Sequence, residues 1–334
     1  MENHFQKISR DNKMKISVII PVYNEEESIN HCLNALINQN FPKKNYEIII
    51  INDGSTDKTK ENIEKIIINN SKANIKLINQ KNKGRALTRE IGAKKAKYEN
   101  LLFTDARCKA EKNLLKNTSL TNEQCIVGNP LINQENWFGR FGYLLRKKLY
   151  KKSFYNFNQI YLTKSNFDHI SKGTTILFIK KSLFLSSKLK NQSSKNNSDD
   201  TKLLWNVILK SKILKSPHLK VTYSPRSSIK KHIAHTFNRG PKFIDYYFSP
   251  GKKYFPHIIL LILIIIFAVI LSIIYKQFII YFFIFSLLTL VIISTLLSEK
   301  LKDFWILITF IPITSISFIF GLMKGLILKL IGKN

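Results

Sequence analysis

The sequence predicts an α/β fold, a parallel sheet flanked by helices, followed by a membrane-embedded C-terminal segment. Three observations predict it. Short apolar runs alternate with stretches whose apolar residues recur at helical spacing, the order that builds a right-handed parallel sheet. Each run is apolar throughout and ends in polar residues, as strands do when both sheet faces are covered and ligands sit beyond their carboxyl ends. Near the C-terminus, three apolar runs of about 20 residues are each long enough to span a bilayer.

The elements follow in order. Lys15–Ile20 (KISVII), closed by Pro21, reads as the first strand, and Ile29, Leu33, Leu36 and Ile37 mark the first helix. Tyr46–Ile51 (YEIIII) is the second strand, ending at Asn52, Asp53 and Gly54. Ser55, Thr56 and Asp57 suit the cap of the next helix, whose apolar face is Ile63, Ile66 and Ile67. Ile75–Ile78 is the third strand, Gly84–Ala96 the third helix and Asn100–Thr104 the fourth strand. The fourth strand runs into the stretch LLFTDARC, Leu101–Cys108. An extended backbone there would turn Asp105 and Arg107 to one side and Ala106 to the other. No GxGxxG or GxxxxGK[ST] follows any strand, which argues against a dinucleotide enzyme or a P-loop ATPase.

Composition bounds the partners. The chain has 334 residues and a formal charge of +31, which suits nucleic acid, anionic lipid or phosphorylated small molecules. Lys, Asn and Ile are abundant throughout, so much of that charge reads as compositional. The three cysteines, Cys32, Cys108 and Cys125, lack CxxC spacing and read as buried thiols in a reducing compartment. The N-terminal MENHFQKISRDNK has no apolar core, which predicts no signal peptide.

Four motifs fall in sequence at strand ends: Pro21-Val22-Tyr23-Asn24-Glu25-Glu26, Asn52-Asp53-Gly54-Ser55-Thr56-Asp57, Asn82-Lys83-Gly84, and Thr104-Asp105-Ala106-Arg107. Together they resemble the family-2 glycosyltransferases, which have the A-type glycosyltransferase fold. The resemblance is strong over Lys13–Lys109 and traceable to about Gly240. It implies a donor site for a UDP- or GDP-sugar built by Pro21, Tyr23, Glu25, Asp53, Lys83, Asp105 and Arg107. Asp53 would meet the nucleotide base, and Glu25 the ribose or base. Asp105 matches the first carboxylate of the DxD motif, which holds Mg2+ or Mn2+ on the donor diphosphate. Arg107 replaces the second carboxylate, which puts that metal role in doubt.

Read as residues alone, Asp53-Gly54 is also a plain turn and Asp57 a plain cap. Glu25–Glu27 also suit the first turn of a helix, where its dipole favours negative charge.

The second half carries weaker signals. Trp137, Phe138, Phe141 and Tyr143 are interleaved with Arg140, Arg146, Lys147 and Lys148. That pattern fits nucleic-acid stacking, an amphipathic membrane-facing segment or partly buried core, and the last two are preferred because a membrane region follows. Gly173-Thr174-Thr175 resembles the family's acceptor border, which assigns Thr174 and Thr175 to the acceptor. Ser186–Ser198 (SSKLKNQSSKNNS) reads as a polar loop. Asp199 and Asp200 after it are either helix caps or, with Thr201, the family's acidic motif, whose last aspartate is the catalytic base; Asp200 is therefore assigned as the base. His232 and His235 sit three apart on a helical stretch, a spacing that shares a face, and the resemblance allows one of them near the diphosphate as a metal ligand.

The expected domains are a tail at 1–14, a catalytic domain at 15–250 (a nucleotide-sugar half at 15–108, an acceptor half at 109–250) and a membrane region at 257–331 with two or three helices. Its apolar runs are His257–Tyr275, Phe278–Leu297 and Phe304–Met323. The basic cluster before His257 predicts a catalytic domain on the cytoplasmic side of the inner membrane. Three full spans would carry Lys324, Lys329 and Lys333 outside, against that trend, and Pro312 interrupts the third run.

The functional expectation is an inverting, membrane-bound glycosyltransferase acting on a lipid-linked or cell-envelope glycan acceptor, with no nucleic-acid partner. Its rivals are an inactive glycosyltransferase-like protein and a processive synthase. The latter normally has more spans and a QxxRW segment, and the sequence shows neither.

Overall fold

The structure is a computed structural model describing residues 14–150, 153–154, 158–189, 198–275 and 277–332. In chain order the elements are β1 (Ile16–Val22), α1 (Ile29–Ile37), β2 (Tyr46–Asn52), α2 (Thr59–Asn69), β3 (Ile75–Asn79), α3 (Arg85–Lys95), β4 (Asn100–Thr104), β5 (Cys108–Ala110), α4 (Leu114–Ser119), β6 (Cys125–Ile132) and α5 (Trp137–Leu149). They continue with β7 (Ile160–Leu162), β8 (Ile176–Lys180), α6 (Lys181–Ser187), α7 (Asp199–Ile208), β9 (Ile213–Tyr223), α8 (Ile229–Tyr247), α9 (Phe255–Ile274), α10 (Phe278–Leu297) and α11 (Leu301–Leu330). Much of the expected polar loop, residues 190–197, lies outside the described residues, as does the N-terminal tail as far as residue 13.

The chain divides into two compact units. The first takes Met1–Asn133, Tyr150–Ser193 and Asp199–Pro225; the second takes Gln134–Leu149, Ser194–Ser198 and Arg226–Asn334. This division differs from the expected one. Helices α5 and α8, which the expected boundaries put in the catalytic domain, group with the apolar helices.

The first unit is a sheet in the order β3-β2-β1-β4-β8-β6-β9-β5, with β7 paired to β9. The four expected strands are present and parallel, from Ile16↔Tyr46 to Val22↔Asn52 between β1 and β2 and from Ile16↔Asn100 to Ile19↔Phe103 between β1 and β4. The remaining strands make the sheet mixed: β8 is antiparallel to β4 and to β6, β9 is parallel to β6, and β5 is antiparallel to β9. Strand β1 runs two residues further than expected, to Val22, so Pro21 lies inside it, past the last β4 pair.

The central strands are apolar because both faces are covered; β2 is buried along its whole length. That burial includes Glu47, whose carboxylate accepts from Ser17 Oγ (2.7 Å), Lys76 Nζ (2.9 Å) and the Lys97 N–H (2.6 Å). Burial alone would raise its pKa, but these donors outweigh it and hold Glu47 below the ordinary carboxylate value.

In the second unit, only three residues separate the end of α9 at Ile274 from the start of α10 at Phe278, and α8 packs along α11. That packing is close. A Cβ on Gly240 would stand 2.1 Å from the Gly321 carbonyl carbon, and one on Gly321 would stand 2.2 Å from the Phe237 carbonyl oxygen. Glycine is required because the two backbones touch, as in small-residue contacts between membrane helices.

Candidate active site

The loops after β1 and β2 are stitched together. Asn24, in the left-handed region at φ 52, donates its N–H to Ser55 Oγ (3.0 Å), and its side-chain oxygen accepts from the Thr56 N–H (2.9 Å). The Glu25 N–H donates to Thr59 Oγ1 (2.8 Å). Of the three expected caps of α2, only Asp57 accepts from the helix start, at the Thr59 N–H (3.0 Å). Asn24 engages Ser55 and Thr56 instead. These bonds hold the Pro21–Glu25 segment beside the end of β2, with Tyr23 exposed.

Asp53 is 4% exposed and engaged by its own chain. Its Oδ1 accepts from Gln80 Nε2 (2.7 Å) and the Lys83 N–H (2.8 Å), and its Oδ2 from the Gly84 N–H (2.9 Å). Asp53 thus fastens the end of β2 to the entry of α3. The Lys83 contribution seen here is its backbone N–H. Gly84, at φ 84, makes the turn into α3 that an L side chain would strain.

Helix α3 then presents Arg85 and Arg89 one turn apart, on one face. Arg85 grips Asp199 through Nε (3.2 Å) and Nη2 (3.0 Å), and its Nη2 also reaches Asp200 Oδ2 (2.9 Å). Arg89, 3% exposed, meets Asp200 Oδ1 (2.5 Å) and Asp105 Oδ1 (3.4 Å). Thr174 donates its hydroxyl to Asp200 Oδ1, and Thr175 hydrogen-bonds Asp105. Five of the expected site residues, Asp105, Thr174, Thr175, Asp199 and Asp200, therefore meet around two arginines.

Sequence reasoning missed both arginines. Among 53 Lys and Arg residues they did not stand out; the available signal was their four-residue spacing directly after Gly84.

The cluster sets its carboxyl groups apart. Burial raises the pKa of Asp200, but Arg85 and Arg89 outweigh it and hold the group well below the carboxylate range. For Asp105 burial prevails over Arg89 and Arg85, and the pKa is raised. Unlike pKa values in neighbouring groups are the arrangement from which acid and base roles are drawn.

Two expectations are corrected. The stretch after β4 is not extended: the Cys108 N–H bonds back to the Asp105 carbonyl (2.9 Å), closing a turn. Asp105 faces Arg89, whereas Arg107 Nε binds Glu25 Oε1 (2.8 Å). Arg107 and Glu25 are thus an ion pair, each satisfying the other. The second correction concerns His232. Its ring lies among Phe138, Phe141 and Phe310, with centroids 5.6, 6.0 and 5.8 Å away, and a ring nitrogen meets Thr314 Oγ1 (2.9 Å). His232 is a packed member of the second unit and is engaged away from metal chemistry; His235 is exposed on the same helix.

The donor set does not fit a resident divalent ion. Such an ion wants several hard oxygen ligands. Asp105 offers one carboxylate beside a guanidinium, the second place of the motif is a cation, and Asp199 and Asp200 are already bound by arginines. Among the described residues, no group of three or more His, Cys, Asp or Glu is placed to hold a metal.

Comparison with known proteins agrees with this fold. Residues 17–182 match the family model described as Glycosyl transferase family 2. A Methanococcus voltae protein named dolichyl N-acetyl-alpha-D-glucosaminyl phosphate 3-beta-D-2,3-diacetamido-2,3-dideoxy-beta-D-glucuronosyltransferase is 26% identical over 240 residues, 67% of this chain and 71% of that one. The Staphylococcus aureus poly(ribitol-phosphate) beta-N-acetylglucosaminyltransferase TarS is 36% identical over 108 residues, which cover 32% of this chain and only 18% of TarS. Glycosyltransferase AglE of Haloferax volcanii is 37% identical over 101 residues, 30% of this chain and 33% of AglE. Among solved structures, S. aureus TarS 1–349 with UDP-GlcNAc superposes with TM-score 0.52 at 20% identity, covering 70% of this chain and 67% of that one. The mannosyltransferase PcManGT of Pyrobaculum calidifontis, with GDP-Man and Mn2+, gives 0.51 at 14% identity, covering 72% and 66%. The sheet, its strand-end motifs and the family match therefore make residues 17–182 a family-2 glycosyltransferase domain of the A-type fold, carried on a chain whose C-terminal helices are long and apolar enough to cross a membrane.

Proposed function

We propose that this glycosyltransferase moves one sugar from a UDP- or GDP-sugar to a membrane-associated acceptor, a lipid-linked or cell-envelope glycan, with inversion at the anomeric carbon. The observation that carries this reading is Asp200, at the head of α7, gathered with Asp105, Thr174 and the two α3 arginines. The named activities of the M. voltae relative and of TarS, on a dolichyl phosphate glycan and on poly(ribitol phosphate), support the acceptor class.

The chemistry is a single in-line displacement. An acceptor hydroxyl attacks the anomeric carbon, the bond to the diphosphate oxygen breaks with its electron pair, and the hydroxyl proton passes to Asp200 as general base. The departing diphosphate gains negative charge, which fixed donors in a water-poor site stabilise. Arg85 is placed for this, being 40% exposed where Arg89 is buried beneath it. While both guanidinium groups bind Asp200, its basicity is low. A diphosphate that draws Arg85 to itself raises that basicity as the donor arrives. Guanidinium groups pair with phosphate in a planar, bidentate way. No step is assigned to a divalent ion, because the residues do not fit one.

The reading places the catalytic unit on the cytoplasmic face of the inner membrane, with the apolar helices crossing it. Asp200→Asn keeps the shape of the side chain and removes its proton affinity. It should leave UDP or GDP binding measurable by calorimetry and cut transfer by about 10²-fold or more. An active Asp200→Asn beside a dead Asp199→Asn would assign the base to the wrong aspartate. Absence of any nucleotide binding by the intact protein would remove the donor class itself.

A further inference from the structure

Three helices of this chain are long and apolar enough to span: Phe255–Ile274, Phe278–Leu297 and Leu301–Leu330. The contacts within the second unit separate the third from the other two. Helices α9 and α10 have 20 residues each, about 30 Å apiece and so matched to a hydrocarbon core. Their three-residue connection makes them a hairpin, which brings the start of α9 and the end of α10 to the same side of the bilayer.

Helix α11 touches that side at both of its ends. Near its start, Ile306, Leu307 and Phe310 pack with Phe141 and Leu144 of α5 and with Leu297, the last residue of α10. Near its finish, Leu322 packs with Ile258 in the first turn of α9 and with Ile244 of α8, and Leu261, Phe318 and Leu326 join them. Lys329 donates to the carbonyl of Phe248, seven residues before the start of α9 at Phe255, and reaches Ser249 Oγ at 3.4 Å. Were α11 a third span, Lys329 would stand about 30 Å away, on the opposite face. A helix that meets the two same-side ends of a hairpin lies across it.

The geometry points to a two-span protein in which α11, with α8 beside it, lies in the plane of the membrane and docks on the lipid surface. This inference rests on the reading that the unit is membrane-seated. The outward side of α11 fits that surface. Ile316, Phe320, Met323, Ile327 and Leu330 are all at least half exposed and recur at intervals of three and four, as one stripe of a helix. Ile229 and Ile233 of α8 are exposed as well, and an open apolar groove of about 880 Å³ runs between the two helices, with Lys230 on its lining. An apolar stripe with Lys230 on the groove lining and Lys324 beside Phe237 has the composition of an interfacial helix, whose apolar face enters the acyl boundary while its cations meet anionic headgroups. The arrangement also keeps every one of those lysines on one side, which three spans would not.

The test uses the full-length protein in membranes, with single cysteines at Gln277, Lys300 and Ile331 and a membrane-impermeant maleimide. The expected pattern is that Lys300→Cys and Ile331→Cys label from the same side and Gln277→Cys from the other. Ile331→Cys labelling from the side of Gln277→Cys would show a third span and overturn the inference, whichever way the catalytic unit faces. Depth gives a second readout. A fluorescent probe on Trp305→Cys, Ile316→Cys or Ile327→Cys should report one shallow depth against lipids quenching at different depths. A depth that changes steadily from Trp305 to Ile327 would equally overturn it.

Discussion

Asp53 shows how one residue can be legible in sequence and still be read incompletely. Its place at the end of β2 was evident from the apolar run before it. Its partners were not, because Gln80, Lys83 and Gly84 lie beyond the next helix and strand. Both carboxylate oxygens bind the entry of α3, so the residue first holds the loop that aims Arg85 and Arg89. Asp53→Ala removes an acceptor from three part-buried donors, and hydrogen bonds to a charged group contribute roughly 1.5–3 kcal/mol. Thermal melting of the variant should show a loss of at least that size; a variant as stable as wild type would mean that water replaces the carboxylate without cost. The acids Asp105, Asp199 and Asp200 could be picked out because acids are scarce in this chain. The arginines that bind them could not, because cations are common everywhere. The direction read for Arg107 holds only for an extended backbone, whereas a turn forms there, and its partner Glu25 comes from a different strand end.

At the scale of elements, periodicity located the first four strands and three helices to within a residue or two, since each carries a local apolar pattern. It did not order β5 to β9, whose pairings join segments as distant as Cys108 and Tyr223. Nor did it show that α5 and α8 belong with the apolar helices. The aromatic and cationic residues of α5 turn out to serve packing and ion pairing: Phe141 is buried, and Arg140 binds Asp303 (2.6 Å) and Glu299 (2.8 Å). The α8–α11 contact gives a direct test. Gly321→Ala puts a methyl group against the Phe237 carbonyl, and overpacking of this kind costs about 1–3 kcal/mol. The melting temperature of the purified protein should fall, and Gly173→Ala, where a Cβ meets nothing within 4 Å and the backbone is not left-handed, is the control. His232 gives a second test. Burial, and then Arg226, lowers its pKa below the ordinary value of 6.5, so the unfolded chain binds the proton more readily. The stability this confers is complete above the unfolded value and is lost as pH falls toward the folded one. Between pH 7 and 5 the second unit should become less stable, and His232→Phe should flatten that slope; an unchanged slope would assign the acid sensitivity to other groups.

At the scale of the whole molecule, the sign and position of charge decide orientation. The net charge of +31 was too diffuse to name a ligand, but its distribution about the hairpin is informative. Lys230, Lys231, Arg239, Lys242, Lys252 and Lys253 precede α9, and Lys300 and Lys302 follow α10, whereas the sequence between α9 and α10 carries only Lys276. Cations close to span ends are retained in the cytoplasm, so the ends of the hairpin that connect to the catalytic unit should lie inside and the α9–α10 connection outside. The chain provides a quiet background for testing this. Cys32, Cys108 and Cys125 are all buried, and burial pushes each thiol pKa up, that of Cys32 to about 12. The thiolate is the reactive form, so the folded wild-type protein should take up little maleimide and the denatured protein all it can. Against that background, Lys65→Cys on the exposed face of α2 should label only after cells are permeabilised, while Gln277→Cys should label in intact cells. Labelling of Lys65→Cys in intact cells would put the catalytic unit outside, away from cytoplasmic nucleotide sugars, and the proposed donor would then be wrong along with the orientation.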